Sequence, residues 1–243
     1  MDSYQAETYG QRMAGIYDDW YGAYDPAIVD FLKELARSGR ALELGIGTGR
    51  VALPLHHAGV RVEGIDASPA MVDRLRAKPG GDRIPVTLGD FADVDVVGHY
   101  TLVYVLFNTL FALLTQEEQI RCFQNVAAHL HPSGVFVVEA FVPDLTRYQG
   151  GQSLRTVHIG GDHVRIDAAQ LDLVRQQITG QQVVLAEQGI RLYPVKLRYA
   201  WPAELDLMAR LAGLRLRDRW AGWQKTAFSA ESGKHVSVYE HAP

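Results

Sequence analysis

The chain holds one cysteine, Cys122, in 243 residues. A single thiol excludes an internal disulfide framework and any site built from several thiolates. Long apolar runs are missing as well. The longest, around residues 102–114, is interrupted by Tyr104, Asn108 and Thr109, short of the ~18–20 residues of a membrane span. Positive charge is not in excess: 24 Lys and Arg stand against 28 Asp and Glu, a formal net charge of −4. A surface that grips nucleic acid or anionic lipid over its whole extent is basic, so neither partner is expected. The first 25 residues carry Glu7, Asp18 and Asp19 and no apolar run, so no signal peptide is expected. A soluble cytoplasmic protein remains, and 47% hydrophobic residues at this length suit one compact domain.

What is present is a change of rhythm near residue 40. Before it, Tyr9, Met13, Ile16 and Trp20 recur on one helical face, with Tyr17, Tyr21 and Tyr24 beside them. Pro26 to Ala36 reads as a second helix, so residues 1–40 form an N-terminal helical cap. Short apolar strands then alternate with helices: Arg40 to Leu44, Val60 to Ile65, Ile84 to Leu88, Tyr100 to Phe107 and Gly134 to Phe141. Such alternation predicts βαβ units and a parallel sheet covered on both faces. Ser68-Pro69 should cap the helix after the second strand. Pro54 predicts a kink or a late start in the first crossover helix.

After Pro143 the texture turns antiparallel, with turns expected at Gly160-Gly161-Asp162, Thr179-Gly180 and Gln188-Gly189. Tyr193, Val195, Leu197, Tyr199 and Trp201 alternate onto one face, and Lys196 and Arg198 onto the other. This insert, residues 150–200, suits a substrate wall, a lid or the surface of a homodimer. A helix from Trp201-Pro202 to Ala212 and strands from Leu214 and Lys234 close residues 41–243 as the main domain.

Three features at successive strand ends carry chemistry. The first is Glu43-Leu44-Gly45-Ile46-Gly47-Thr48-Gly49-Arg50, a glycine turn between strand and helix where backbone can approach a ligand. A dinucleotide fingerprint needs a small residue where Arg50 stands, which disfavours NAD and FAD. The second is Asp66, 17 residues past Gly49, placed to accept both hydroxyls of a ribose. The third is Asp90-Phe91, a carboxylate for an exocyclic amine beside a ring for a purine face.

In this order the three resemble the class I S-adenosylmethionine-dependent methyltransferases, and the small-molecule N-methyltransferases of aminosugars and other natural products within them. The resemblance implies a Rossmann-like, doubly wound, mostly parallel seven-stranded sheet with the antiparallel insert after the fifth strand. It implies S-adenosyl-L-methionine as cofactor, with Gly45, Gly47, Thr48 and Gly49 at the methionyl end and Glu43 bracing the loop. Asp66 would hold the ribose, Ala67 and Met71 would pack the adenine, Asp90 would read its amine and Phe91 would cover it. Leu106 and Phe107 would sit beside the sulfonium, and Tyr17, from a Tyr-Asp pair, would fold over the cofactor. The resemblance extends to peptide α-amine methyltransferases.

The acceptor is a small molecule on this reading, with no metal. His56 and His57 lie ~100° apart on a helix and cannot chelate one ion together. The aromatic residues Tyr17, Tyr21, Phe111, Phe141, Trp201 and Trp223, with Asn108, form the expected substrate pocket. No catalytic base stands out, and Glu139, His158 and His163 are the ionisable candidates. An amine needs no strong base near pH 7–8, whereas a hydroxyl or carbon acid does, so an amine is favoured. Two other readings stay open: an oxidoreductase, against which Arg50 stands, and a cofactor-binding or assembly partner without catalysis.

Overall fold

The computed structural model describes residues 4–93 and 95–243, so the first three residues of the expected cap fall outside the description. The chain begins with α1 (Thr8–Met13), α2 (Tyr17–Tyr21) and α3 (Ala27–Ala36). There follow β1 (Arg40–Leu44), α4 (Ala52–His57), β2 (Arg61–Asp66), α5 (Pro69–Arg76), β3 (Val86–Leu88) and β4 (Tyr100–Val105). Next come α6 (Gln116–His129) and β5 (Leu130–Phe141), then β6 (Gln152–Ile159), β7 (His163–Asp172), β8 (Gln177–Ala186) and β9 (Gly189–Arg198). The chain closes with α7 (Pro202–Leu211), β10 (Leu214–Trp220) and β11 (Lys234–His241).

The main sheet runs β10-β11-β5-β4-β1-β2-β3. Strands β1 to β5 are mutually parallel, and β11 is antiparallel to both its neighbours. This is the mostly parallel seven-stranded sheet expected. Strand order reverses between β1 and β4, and ligands of such sheets bind outside the carboxyl ends at that point. Each face has its own core. Leu42, Val103, Phe136 and Val138 meet Phe123, Val126 and Met208 of α6 and α7 on one side. On the other, Leu102, Tyr104 and Val137 meet Phe31, Leu55 and Leu75 of α3, α4 and α5. Among the described residues no helix is long and apolar enough to cross a membrane.

Local chemistry explains most boundaries. Ser68 caps α5 by accepting from the Met71 N–H, with Pro69 as first residue. Thr115 and Glu118 form a reciprocal capping box on α6. Helix α4 starts late, at Ala52, which puts Pro54 inside the first turn where no N–H is needed. The N-terminal apolar face is divided rather than continuous, because Ile16 leaves helical backbone at φ −128°. Met13 is still buried, with Tyr9, Ile16 and Trp20 packed around it.

Strands β6 to β9 form a separate four-stranded antiparallel sheet. The turn expected at Thr179-Gly180 is instead the middle of β8, where Gly180 pairs with Ala169 and Val195. The real turn lies at 173–176, where the Asp172 carboxylate accepts from the N–H groups of Val174 and Arg175, each at 2.9 Å. A side chain bonding its own turn outweighs the glycine signal. Arg198 does not point to solvent. It is buried, bonded to Gln119 of α6 at 2.6 Å and to Glu204 of α7 at 2.7 Å. Trp201 lies past the end of β9 at the cap of α7, 41% exposed.

Candidate functional site

The carboxyl ends of β1, β2, β4 and β5 open onto one cavity of about 820 Å³, within the ~300–1,000 Å³ usual for ligand clefts. Its floor contains Gly45, Gly47, Asp66, Ala67, Met71, Asp90, Phe91, Phe107 and Asn108. Tyr9, Tyr17 and Tyr21 close it from α1 and α2, and Gln182, Val195 and Leu197 wall it from the second sheet.

The glycine turn divides into two kinds of glycine. Gly45, Gly47 and Gly49 all have positive φ, 71°, 56° and 74°. A Cβ at Gly45 would meet Thr109 at 2.4 Å, and one at Gly49 would meet Leu75 at 2.3 Å. Those two are packing requirements, and Gly49 does not line the cavity. A Cβ at Gly47 would stand in open space, touching only the Gly45 carbonyl at 4.0 Å. The Gly47 N–H donates to Asp66 Oδ2 at 2.7 Å, and Ser68 N–H donates to Asp66 Oδ1 at 2.8 Å. Burial pushes the Asp66 carboxyl above its ordinary pKa, although these two bonds pull it down. Each oxygen keeps a lone pair, so a ligand bearing two hydroxyls fits it.

Glu43 stays behind the turn, accepting from the Tyr104 hydroxyl at 3.1 Å. Its burial raises the pKa to about 8, against the opposing Tyr104 bond and Arg50 charge. The acid is therefore folded in its neutral form, while the unfolded chain ionises it near 4.5. The resulting stability is complete below 4.5 and lost as pH rises towards 8. Glu43→Gln should remove this slope: urea midpoints at pH 5 and pH 8 should differ less in the variant than in the wild type. Equal differences would refute the assignment.

Thr48 is buried and faces the cap rather than the cavity. Its hydroxyl donates to Asp18 at 2.6 Å, and Lys78 binds both Asp18 and the Thr48 carbonyl at 2.8 Å. Burial raises the Asp18 carboxyl, but the bonds from Lys78 and Thr48 prevail and hold it below its usual pKa. The Tyr-Asp pair thus has divided work: Asp18 ties α2 to the glycine turn while the Tyr17 ring faces the cavity.

Phe107 and Asn108 are consecutive non-glycine residues with positive φ, 53° and 68°. Such backbone costs of order 1–3 kcal/mol per residue and needs support. Glu139 supplies it: Oε2 accepts from the Phe107 N–H at 3.1 Å, and Oε1 accepts from Trp223 Nε1 and Lys234 Nζ, each at 3.1 Å. Asn108 Oδ1 in turn accepts from the Phe141 N–H at 2.7 Å. This clamp is the least legible part of the site, because its members come from the turn after β4, from β5, from the β10–β11 connection and from the start of β11.

Several residues expected at the site, whether beside the sulfonium, in the substrate pocket or as a base, lie elsewhere. Leu106 is buried in the core. Phe111 is also fully buried, supporting Phe141 edge-on at 5.0 Å from behind. Trp223 packs against Phe31 at 5.3 Å, and exposed Trp201 does not reach the cavity. His158 and His163 stack on each other at 4.9 Å in the β6–β7 hairpin, away from the site. Sequence reading missed Tyr9, Gln182, Lys234 and the inward position of Arg50. Only Tyr9 left a signal, in the helical periodicity.

A family model described as a methyltransferase domain matches residues 41–134, from β1 into the start of β5. The solved CcbJ methyltransferase of Streptomyces caelestis is 42% identical, covering 99% of this chain and 100% of its own, with a TM-score of 0.93. The chain belongs to the S-adenosylmethionine-dependent methyltransferases. A cypemycin N-terminal methyltransferase from Streptomyces sp is 29% identical to the methyltransferase over 200 residues, 82% of either chain. The solved SAM-bound CalS10, an amino pentose methyltransferase from Micromonospora echinaspora, shares the fold at a TM-score of 0.70. Its identity is 23%, over 93% of this chain and 97% of its own. The cofactor of the methyltransferase is S-adenosyl-L-methionine. The spare lone pairs of Asp66 and the open side of Gly47 fit it.

Proposed function

We propose that the methyltransferase methylates an amine of a small natural-product molecule. The observation that carries this is how little of the cavity lining is placed to take a proton from an acceptor once Asp66 and Asp90 are given to the cofactor. Among the described lining residues there is no histidine or cysteine. Glu139 is occupied by three donors, and Glu118 accepts from the Thr115 N–H in its capping box. Burial raises the hydroxyl pKa of Tyr9 and Tyr17, which leaves little phenolate to accept a proton. An acceptor must therefore attack without first giving up a proton, as a neutral amine does and a hydroxyl does only poorly, and the proton is lost to water after transfer.

The cofactor supplies an activated methyl group. The protein's part is alignment and exclusion of water. In this reading Asp66 takes the ribose hydroxyls, Asp90 and Phe91 the adenine with Ala67 and Met71, and Gly47 the methionyl end. Tyr17 and Tyr21 cover that end, and the acceptor lies between Phe141, Asn108 and the β8–β9 wall. Gln182 Nε2 donates to the Tyr21 hydroxyl at 2.8 Å, which joins the wall to the cover. Similarity to the cypemycin enzyme favours a second acceptor class with the same chemistry, the α-amine of a peptide.

A matched panel tests this: aminosugars, cyclic secondary amines, short peptides and their hydroxyl analogues, with methylated product followed by mass spectrometry. Methylation of amines and not of the hydroxyl analogues is expected. Products only from hydroxyl acceptors would overturn the amine assignment. Binding of S-adenosylhomocysteine without any product would favour a non-catalytic partner.

A further inference from the structure

Arg50 has no task in the reading above, yet it lies inside the cavity. It directly follows Gly49, and its guanidinium carbon stands 3.4 Å from the centroid of the Phe107 ring and 5.7 Å from that of Tyr17. One terminal nitrogen donates to the Tyr21 carbonyl. Nε is shut off from water and has no hydrogen-bond partner. A buried unpaired N–H is costly, so this position of the side chain is a compromise. The guanidinium gains the ring face and forfeits part of its donor fork.

A carboxylate placed beside it would repair the deficit, since a guanidinium meets a carboxylate through paired N–H groups. The methionyl end of the cofactor carries one carboxylate and two cations, the ammonium and the sulfonium. Those cations are attracted to the same ring faces that the guanidinium covers. Two cations cannot share one face without repulsion.

We propose that Arg50 reads the methionyl end by exchange: its guanidinium leaves the Phe107 face for the cofactor's carboxylate, and the rings it uncovers receive the cationic end. The proposal rests on the cofactor placement given above. Arg50 is then a specificity residue for the amino-acid half of the cofactor. It contributes nothing to a ligand that has the nucleoside half alone.

Titration calorimetry with two ligands tests it. S-adenosylhomocysteine carries the carboxylate, and 5′-methylthioadenosine lacks the whole amino-acid end. In Arg50→Met, affinity for S-adenosylhomocysteine should fall roughly tenfold or more while that for methylthioadenosine holds or rises. Retained methylthioadenosine binding also reports that the variant is folded. Arg50→Lys, which keeps the charge without the fork, should recover part of the loss. Parallel losses for both ligands would overturn the proposal alone, since Arg50 would then merely prop the turn. Unchanged affinities would do the same. A wild-type protein that binds neither ligand would overturn the cofactor placement, and the proposal with it.

Discussion

Replacing Asp66 with alanine is expected to reduce affinity for S-adenosylhomocysteine by about 10²–10⁴-fold. The range follows from losing two hydrogen bonds to an ionised group, each worth ~1.5–3 kcal/mol. Two further effects act in the same direction. Asp66 holds the Gly47 N–H at 2.7 Å and the Ser68 N–H at 2.8 Å, so its loss frees the glycine turn and the start of α5 together. It also unpairs those donors inside a partly buried site. Asp66→Asn keeps one acceptor oxygen but brings an NH₂ group against an N–H donor, so only part of the affinity should return. Calorimetry on both variants measures this, with urea denaturation to confirm folding. A loss below about fivefold in the alanine variant would remove Asp66 from the ligand site.

Arg198→Met is expected to cost about 3–5 kcal/mol of stability, the range for breaking one side of a buried ion pair. The pair lies where the second sheet meets α6 and α7. Arg198 is 5% exposed and bonds Gln119 at 2.6 Å and Glu204 at 2.7 Å. Gln119 returns a bond to the Arg198 carbonyl at 2.9 Å and another to the Leu113 carbonyl at 3.1 Å. Methionine fills the space but leaves the Gln119 amide oxygen without a donor and the Glu204 carboxylate with only the neutral donors Gln176 and Gln116 in place of its charged partner. Burial raises the Glu204 carboxyl, yet bonds from Arg198, Gln176 and Gln116 prevail and hold it below 4.5. A lowered folded pKa gives stability that is present above 4.5 and lost as pH falls through the folded value. The wild type should therefore lose more stability on acidification than Arg198→Met. Urea midpoints at neutral and acid pH check both claims. Converting Glu204 to Gln in the same chain should restore part of the loss, because the buried charge goes with its partner. A single-variant loss below about 1 kcal/mol would mean that water replaces the arginine.

Much of the framework was readable because its signals are local. Ser68-Pro69 names a helix start through bonds spanning three residues. Arg40 to Leu44 names a central strand because both faces are buried. Errors came where a local signal had a stronger local rival, as Asp172 outweighed Gly180, or where distant chain decided. Trp201 shares the alternation of β9 up to Tyr199, but the strand ends at Arg198 and Pro202 starts a helix. Phe111 and Phe141 look equivalent in sequence, and packing puts one behind the other.

By itself the sequence determined the alternating βα framework, the glycine turn and the carboxylates at the ends of β2 and β3. Each depends on backbone conformation, capping or periodicity within a few residues of itself. Tertiary structure alone decided which rings face the cavity, that Glu139 clamps the strained Phe107-Asn108 backbone, and that Arg50 turns inward. Those outcomes depend on groups brought together from β5, β11, the turn after β4 and the N-terminal helices. Hydrogen bonds and ring contacts between such distant segments leave no period in the chain.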